Sequence, residues 1–149
     1  GSENAVALMI GGVEWLPKLV REVSEPARRL VQRFWPGPLT LLLLGNPGVL
    51  PSLMPHGVVG VRMPDHPFAL ALLQRTGPLA VTSANFLGKG RARTATEVLK
   101  QLSGRVHLVL DGGATTRGVF STVVDCTTAE VTVARQGPIL DEEIFATLK

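Results

Sequence analysis

Val58-Val59-Gly60-Val61-Arg62-Met63-Pro64-Asp65-His66-Pro67 is the stretch that decides the fold class of this chain. Residues 58–63 read as a strand, and period two puts Val59, Val61 and Met63 on one face and Val58, Gly60 and Arg62 on the other. Gly60 beside Arg62 leaves an open patch next to a charge, a binding-face pattern. The prolines then stop the strand. Asp65 can cap a helix through Phe68, Leu72 and Leu73 that ends at Gly77, and His66 at the same helix start reads as a structural cap. A strand that runs straight into a helix is the repeating element of an α/β domain.

The same grammar extends in both directions. Residues 5–10 form an apolar run closed by Gly11-Gly12, which predicts a buried strand. Residues 13–22 look helical, with Trp15, Leu16, Leu19 and Val20 as the apolar stripe. Ser24 is a good N-cap for the next helix, Pro26 sits in its tolerant first turn, and Ala27, Leu30, Val31 and Phe34 form a buried face. Arg28, Arg29 and Arg33 on that helix read as a solvated surface. Trp35-Pro36-Gly37-Pro38 stops the helix before a core strand at 39–44, and residues 45–57, rich in proline and glycine, form a loop.

Downstream, 78–82 is a short strand with Ser83-Ala84-Asn85 at its end, and 86–93 is a basic loop. Thr94-Ala95-Thr96-Glu97 has capping-box spacing for a helix ending near Gly104. Residues 106–110 read as a strand and Asp111-Gly112-Gly113 opens a loop through Gly118. Residues 121–125 and 131–135 read as a strand pair, and Asp141 starts a closing helix. Strands alternate with helices early and pair directly late, so the expected fold is α/β with a mixed sheet in a single domain, 1–149.

Composition narrows the function classes. The 149 residues are 45% apolar, enough for one real core. The net charge of +3 is spread along the chain, which permits contact with nucleic acid or anionic metabolites without demanding it. One cysteine, Cys126, excludes an internal disulfide framework and suits a reducing compartment; after its β-branched run it reads as a buried, inert thiol. No apolar run is long enough for a membrane span.

The residues that can carry chemistry are neutral donors and cations. Arg62 within a strand must pair with an acid or receive one, since an unpaired buried charge is costly. It is either a structural salt bridge, an edge-strand surface arginine, or a fork for a carboxylate. Ser83 and Asn85 at a strand terminus suit either a ligand or a turn cap. Ser121 can bond a ligand or satisfy loop backbone. Arg135 is a phosphate contact or a surface charge. Thr94 reads as a helix cap whose neighbouring amides can hold an anion. His56, His66 and His107 have no metal-ligand spacing and no Ser or Cys partner, and neither a P-loop nor a dinucleotide fingerprint is present.

Read together, Phe34-Trp35-Pro36-Gly37-Pro38-Leu39-Thr40, Val61-Arg62-Met63-Pro64-Asp65-His66-Pro67, Thr82-Ser83-Ala84-Asn85, Ser121-Thr122-Val123-Val124-Asp125 and Arg135-Gln136-Gly137-Pro138-Ile139 resemble the YrdC-like family in order and spacing. The resemblance runs from about Asn4 to Ile139. It implies a YrdC/RibB-like twisted sheet of mixed parallel and antiparallel strands with flanking helices. It also implies a cytoplasmic nucleotidyltransferase that makes threonylcarbamoyl-adenylate from L-threonine, bicarbonate and ATP, with Mg²⁺ accompanying the nucleotide. The product would serve threonylcarbamoyladenosine (t6A) modification of tRNA, with tRNA and other proteins of that pathway as partners.

Carried over by position, Arg62, Ser83 and Ser121 would hold threonine, and Val58, Asn85, Thr94 and Arg135 would contact ATP. No protein nucleophile is expected. Two departures stand out. The family's N-terminal Pro-Thr-x-Thr-x-Tyr-Gly-Leu and Lys-x-Arg-Pro segments are not found before Asn4, so the chain reads as a fragment with impaired activity. Leu87 also replaces a common serine. The alternatives are a carbamoyl-adenylate-dependent carbamoyltransferase domain, disfavoured by Thr-Ser-Ala-Asn in place of Thr-Ser-Gly-Asn, and a non-catalytic RNA-binding module of the same fold.

Overall fold

Six short strands meet in one mixed sheet. The computed structural model describes residues 6–85, 90–115 and 119–149. Ala5, Leu87, the 86–89 half of the basic loop and the 116–118 end of the glycine loop lie outside them. The chain divides into two compact units. One comprises Val6–Val81 and Phe120–Lys149, and the other centres on Thr82–Val119.

The first unit holds the whole sheet: β1 (Ala7–Met9), β2 (Leu39–Leu44), β3 (Val58–Arg62), β4 (Leu79–Val81), β5 (Thr122–Asp125) and β6 (Thr132–Arg135). Their spatial order is β4-β1-β3-β2-β5-β6. The β1/β3 and β2/β5 pairs are parallel, and the β4/β1, β3/β2 and β5/β6 pairs are antiparallel, so the sheet is mixed as expected. Helices α1 (Leu16–Leu19), α2 (Glu25–Phe34), α3 (Pro67–Thr76) and α5 (Asp141–Leu148) belong to this unit, and α4 (Ala95–Leu102) belongs to the other.

Register decides which face is core. Leu41 pairs with Val61 on one side and Val124 on the other, and Leu43 pairs with Val59, so these side chains share a face. All are buried, together with Leu8, Leu39, Ala27, Leu30 and Val31 of α2 and Ile144 of α5. Each such aliphatic side chain contributes about 1.5–3 kcal/mol when taken fully out of water. Ser24 Oγ caps α2 by accepting from Ala27 N at 3.4 Å. Arg28, Arg29 and Arg33 are exposed, and Arg29 pairs with Glu25 at 3.3 Å.

Four expectations change. The helix expected over 13–22 is a short 3-10 turn followed by the four-residue α1, because Val20 turns extended and bridges Gly45 while Arg21 N donates to Leu44 O. The cap of α3 is His66, whose Nδ1 accepts from Ala69 N at 3.3 Å, and not Asp65. The 45–57 loop contains two 3-10 turns, Pro51–Leu53 and Pro55–Gly57. Residues 106–110 are not a strand: among the described residues none pairs with them, and Val106, Leu108 and Leu110 are 40%, 74% and 54% exposed. An alternating run becomes a strand only where a neighbouring edge accepts its backbone bonds. No helix among the described residues is long and apolar enough to cross a membrane.

Candidate substrate-binding site

The face of the sheet opposite the core gathers the polar residues. Gly60 and Arg62 lie on it by the alternation of β3, and Thr40 of β2 joins them. A Cβ added at Gly60 would lie 3.4 Å from the Thr40 methyl, 3.6 Å from Leu42 and 3.8 Å from Ala7. Gly60 is therefore enclosed, and the patch expected to be open is narrowed by three apolar groups. The start of β5 reaches the same place, since Leu39 pairs with Thr122 and Thr122 N donates to Pro38 O at 2.9 Å. Period two then turns Thr122 into the core and Ser121 onto the Thr40 face. The Thr40 and Ser121 hydroxyls lie 2.7 Å apart, on residues only 7% and 6% exposed.

Arg135 closes this group from β6. A shift of register between Val123 and Val124 sets Arg135 opposite Val123. Its Nε and Nη2 donate to the Ser121 carbonyl at 3.2 and 2.9 Å, and Nη2 lies 3.4 Å from Ser121 Oγ. The guanidinium also stacks 4.7 Å from the Phe120 ring centroid. The turn beyond it is pinned by Thr122, whose hydroxyl donates to Ile139 O and accepts from Gly137 N and Ile139 N. Gly137 has no room for a side chain: a Cβ there would collide with the backbone of Phe120, Ser121 and Thr122.

Arg62 is the charge around which this face is organised. It is half-buried, and its Nε donates to Gly37 O at 3.3 Å. Gly37 N in turn donates to Met63 O, tying the Trp35–Pro38 turn to the end of β3. Among the described residues no carboxylate pairs with Arg62, and Nη1 and Nη2 have no protein acceptor. Burial first, and then the nearby Arg135 cation, lower its pKa from the usual arginine value. A guanidinium nonetheless stays charged in a protein. Arg62, without a carboxylate partner among the described residues and with a second cation nearby, forms a seat for an anion, and its fork matches a carboxylate.

The structure thus brings Arg62, Ser121 and Arg135 together. It does not bring Val58 to them: Val58 opens β3 opposite Leu44, four residues and roughly 13 Å along the strand. Nor does β4 end beside Arg62. It runs antiparallel to β1, so Val81 pairs with Ala7 at the start of β1, whereas Arg62 pairs with Met9 at its end. Ser83, Asn85 and Thr94 belong to the second unit. There Ser83 and Asn85 are half-buried, and Thr94 Oγ1 caps α4 by accepting from Glu97 N at 3.2 Å. Glu97 completes the cap one residue further back than a capping box would, on Arg93 N at 2.6 Å.

Thr40 escaped the sequence reading. Its signal was a lone hydroxyl within the apolar run of β2, but its partner is 81 residues away. Cys126 behaves as expected of an inert thiol: burial, then the charge of Asp125, push its pKa up to about 11. Iodoacetamide at pH 8 should therefore label native Cys126 at least about 100-fold more slowly than the unfolded chain. Equal rates would contradict its burial.

Comparison with known proteins agrees with this architecture. The Sua5/YciO/YrdC family model, described as "Telomere recombination", matches residues 1–137. A relative from Bacillus subtilis (strain 168) named threonylcarbamoyl-AMP synthase is 40% identical over 150 residues, covering 99% of this chain and 43% of its own. The chain therefore spans less than half the length of that relative. Among solved structures, Pyrococcus abyssi Sua5 complexed with L-threonine superposes with a TM-score of 0.91 at 37% identity, covering 99% of this chain and 44% of that one. Escherichia coli YciO superposes at 0.84 with 28% identity, covering 93% and 68%.

Proposed function

Because the chain belongs to the Sua5/YciO/YrdC family, we propose that it is a threonylcarbamoyl-AMP synthase domain acting on L-threonine, bicarbonate and ATP. The observation that carries this reading is the half-buried Arg62, with both terminal nitrogens unclaimed among the described residues, beside the Thr40–Ser121 hydroxyl pair. A free amino acid offers the carboxylate that such a fork accepts. The P. abyssi relative was solved with L-threonine, which supports the same ligand class here.

The chemistry asks little of protein nucleophiles. Threonine's amine attacks the carbon of CO₂ supplied by bicarbonate and loses a proton, giving a carbamate. A carbamate oxygen then attacks the α-phosphorus of ATP, and the bond to pyrophosphate breaks. Holding the carboxylate on Arg62 would fix where the carbamate forms, and effective concentration supplies much of the rate. Within the unit that holds the sheet, Arg135 is assigned to ATP in this proposal, and Ser121 to threonine beside Arg62. Mg²⁺ would arrive with ATP. Among the described residues no three His, Cys, Asp or Glu side chains cluster to ligate a metal, so they do not form a cage for it.

A role in t6A modification of tRNA, with tRNA and proteins of that pathway as partners, and a cytoplasmic location belong to the same proposal. The test is pyrophosphate release from ATP, run with these 149 residues and with a form extended at the N-terminus. Release that requires both threonine and bicarbonate is expected. Release indifferent to threonine, or none from either form, would contradict the assignment.

A further inference from the structure

Among the described residues the Thr40 hydroxyl bonds no acid, base or charged group, yet it is buried on the face that carries Arg62. Its hydroxyl has a single partner among the described residues, Ser121 Oγ at 2.7 Å, a distance typical of a good O–H···O bond. Either oxygen could donate, and the surroundings decide which. A serine hydroxyl has one proton to give and two lone pairs. Arg135 Nη2 is only ever a donor and lies 3.4 Å from Ser121 Oγ, so it takes up one lone pair. If Thr40 donates, the second lone pair is used and Ser121 must point its proton elsewhere. If Ser121 donates to Thr40, that proton is spent inside the protein and Ser121 offers a ligand only a lone pair.

The neighbouring cation selects between these states. A ligand drawn to Arg62 brings acceptor oxygens, and an acceptor beside Ser121 needs a proton rather than a second lone pair. We propose that Thr40 is a positioning residue that donates to Ser121 Oγ and so holds the Ser121 hydroxyl as a donor toward an acceptor oxygen of the ligand beside Arg62. This rests on the carboxylate-binding reading of Arg62. It adds that the face is tuned by a relay, Arg135 to Ser121 and Thr40 to Ser121, whose only remaining proton is aimed at the ligand. The low exposure of both residues keeps water from randomising the hydroxyls.

The experiment is calorimetric titration of L-threonine into the wild-type protein, Arg62→Ala, Thr40→Val, Thr40→Ala, Thr40→Ser, Ser121→Ala and the Thr40→Val/Ser121→Ala double variant, each checked for its melting temperature. Thr40→Val is expected to weaken binding about 10-fold, the size of one hydrogen bond to a charged group, and Thr40→Ser to stay within about twofold of wild type. In the Ser121→Ala background Thr40→Val should add less than about twofold, because it acts only through Ser121. A merely structural role would lower the melting temperature of Thr40→Val without this dependence on Ser121. Thr40→Ala serves the same comparison if the valine variant does not fold.

Wild-type affinity in a folded hydroxyl-less variant, or an equal loss in the Ser121→Ala background, overturns the inference about Thr40 alone. Absence of threonine binding by wild type, or wild-type affinity in Arg62→Ala, overturns the reading of the Arg62 site and this inference with it.

Discussion

Arg62→Ala is expected to weaken L-threonine binding about 100-fold while ATP affinity moves less than about threefold. The size follows from two parallel charge-assisted bonds, each contributing about 1.5–3 kcal/mol, part of which water recovers in the variant. Arg62→Lys should fall between, near about 10-fold, because an ammonium keeps the charge but loses the planar fork. Stability should respond in the opposite sense. The native chain holds Arg62 half-buried, without a carboxylate partner among the described residues and near the Arg135 cation, which burial and repulsion both disfavour. Removing it should leave the melting temperature unchanged or raised, a pattern expected of a residue kept for binding at the expense of stability. Titration calorimetry with each ligand, alongside a melting curve, separates these effects. Equal losses for threonine and ATP would contradict the role given to Arg62.

The second large effect concerns folding. Thr122 is fully buried, and its hydroxyl uses its whole bonding capacity: it donates to Ile139 O at 2.8 Å and accepts from Gly137 N at 3.0 Å and Ile139 N at 3.1 Å. Thr122→Val keeps the shape and removes all three bonds, leaving two amides and a carbonyl stranded away from water. At about 1–3 kcal/mol for each unsatisfied group, relieved in part by relaxation of the turn, the loss should be about 3 kcal/mol. For a chain of this size that lowers the melting temperature by about 6–12 °C. Thr122→Ser retains the hydroxyl and should lose far less. A valine variant melting within about 2 °C of wild type would show that the 137–139 turn does not depend on this hub. The same turn follows Arg135, so stability and the position of the second cation are linked here.

The elements legible in the sequence came from patterns that are local and redundant. The bounds of β2 follow from an apolar run fenced by Trp35-Pro36-Gly37-Pro38 and Gly45, and α2 announces itself by Ser24, Pro26 and the spacing of Ala27, Leu30 and Val31. Patterns that depended on a distant partner misled. Residues 13–22 carry a helical stripe, but the bridge from Val20 to Gly45 and the bond from Arg21 N to β2 outcompete the helix after one turn. Residues 106–110 alternate like a strand and pair with nothing described.

Arg62 was legible because a charge within a strand demands a reason. The family resemblance singled out Ser121 and Arg135 beside it. Their mutual contact was not legible, since it depends on the register shift in the β5/β6 pair. Gly60 was read as an opening, and the side chains of Thr40, Leu42 and Ala7 that close around it come from two other strands. Thr40 itself was hidden by its apolar neighbours. Its meaning appears only when β5 is laid parallel to β2 and Ser121 arrives at its hydroxyl.

Electrostatics and hydrogen-bond valence therefore converge on one description of the face: a cationic fork without a carboxylate partner among the described residues, a second cation held on the Ser121 carbonyl, and a hydroxyl pair with one proton to direct. That description is tested most directly by a crystal structure of the protein grown with L-threonine. Both carboxylate oxygens are expected within about 3 Å of Arg62 Nη1 and Nη2, the geometry of a bidentate guanidinium pair. A threonine carboxylate bound elsewhere, or an Arg62 turned onto an acidic side chain, would contradict the account.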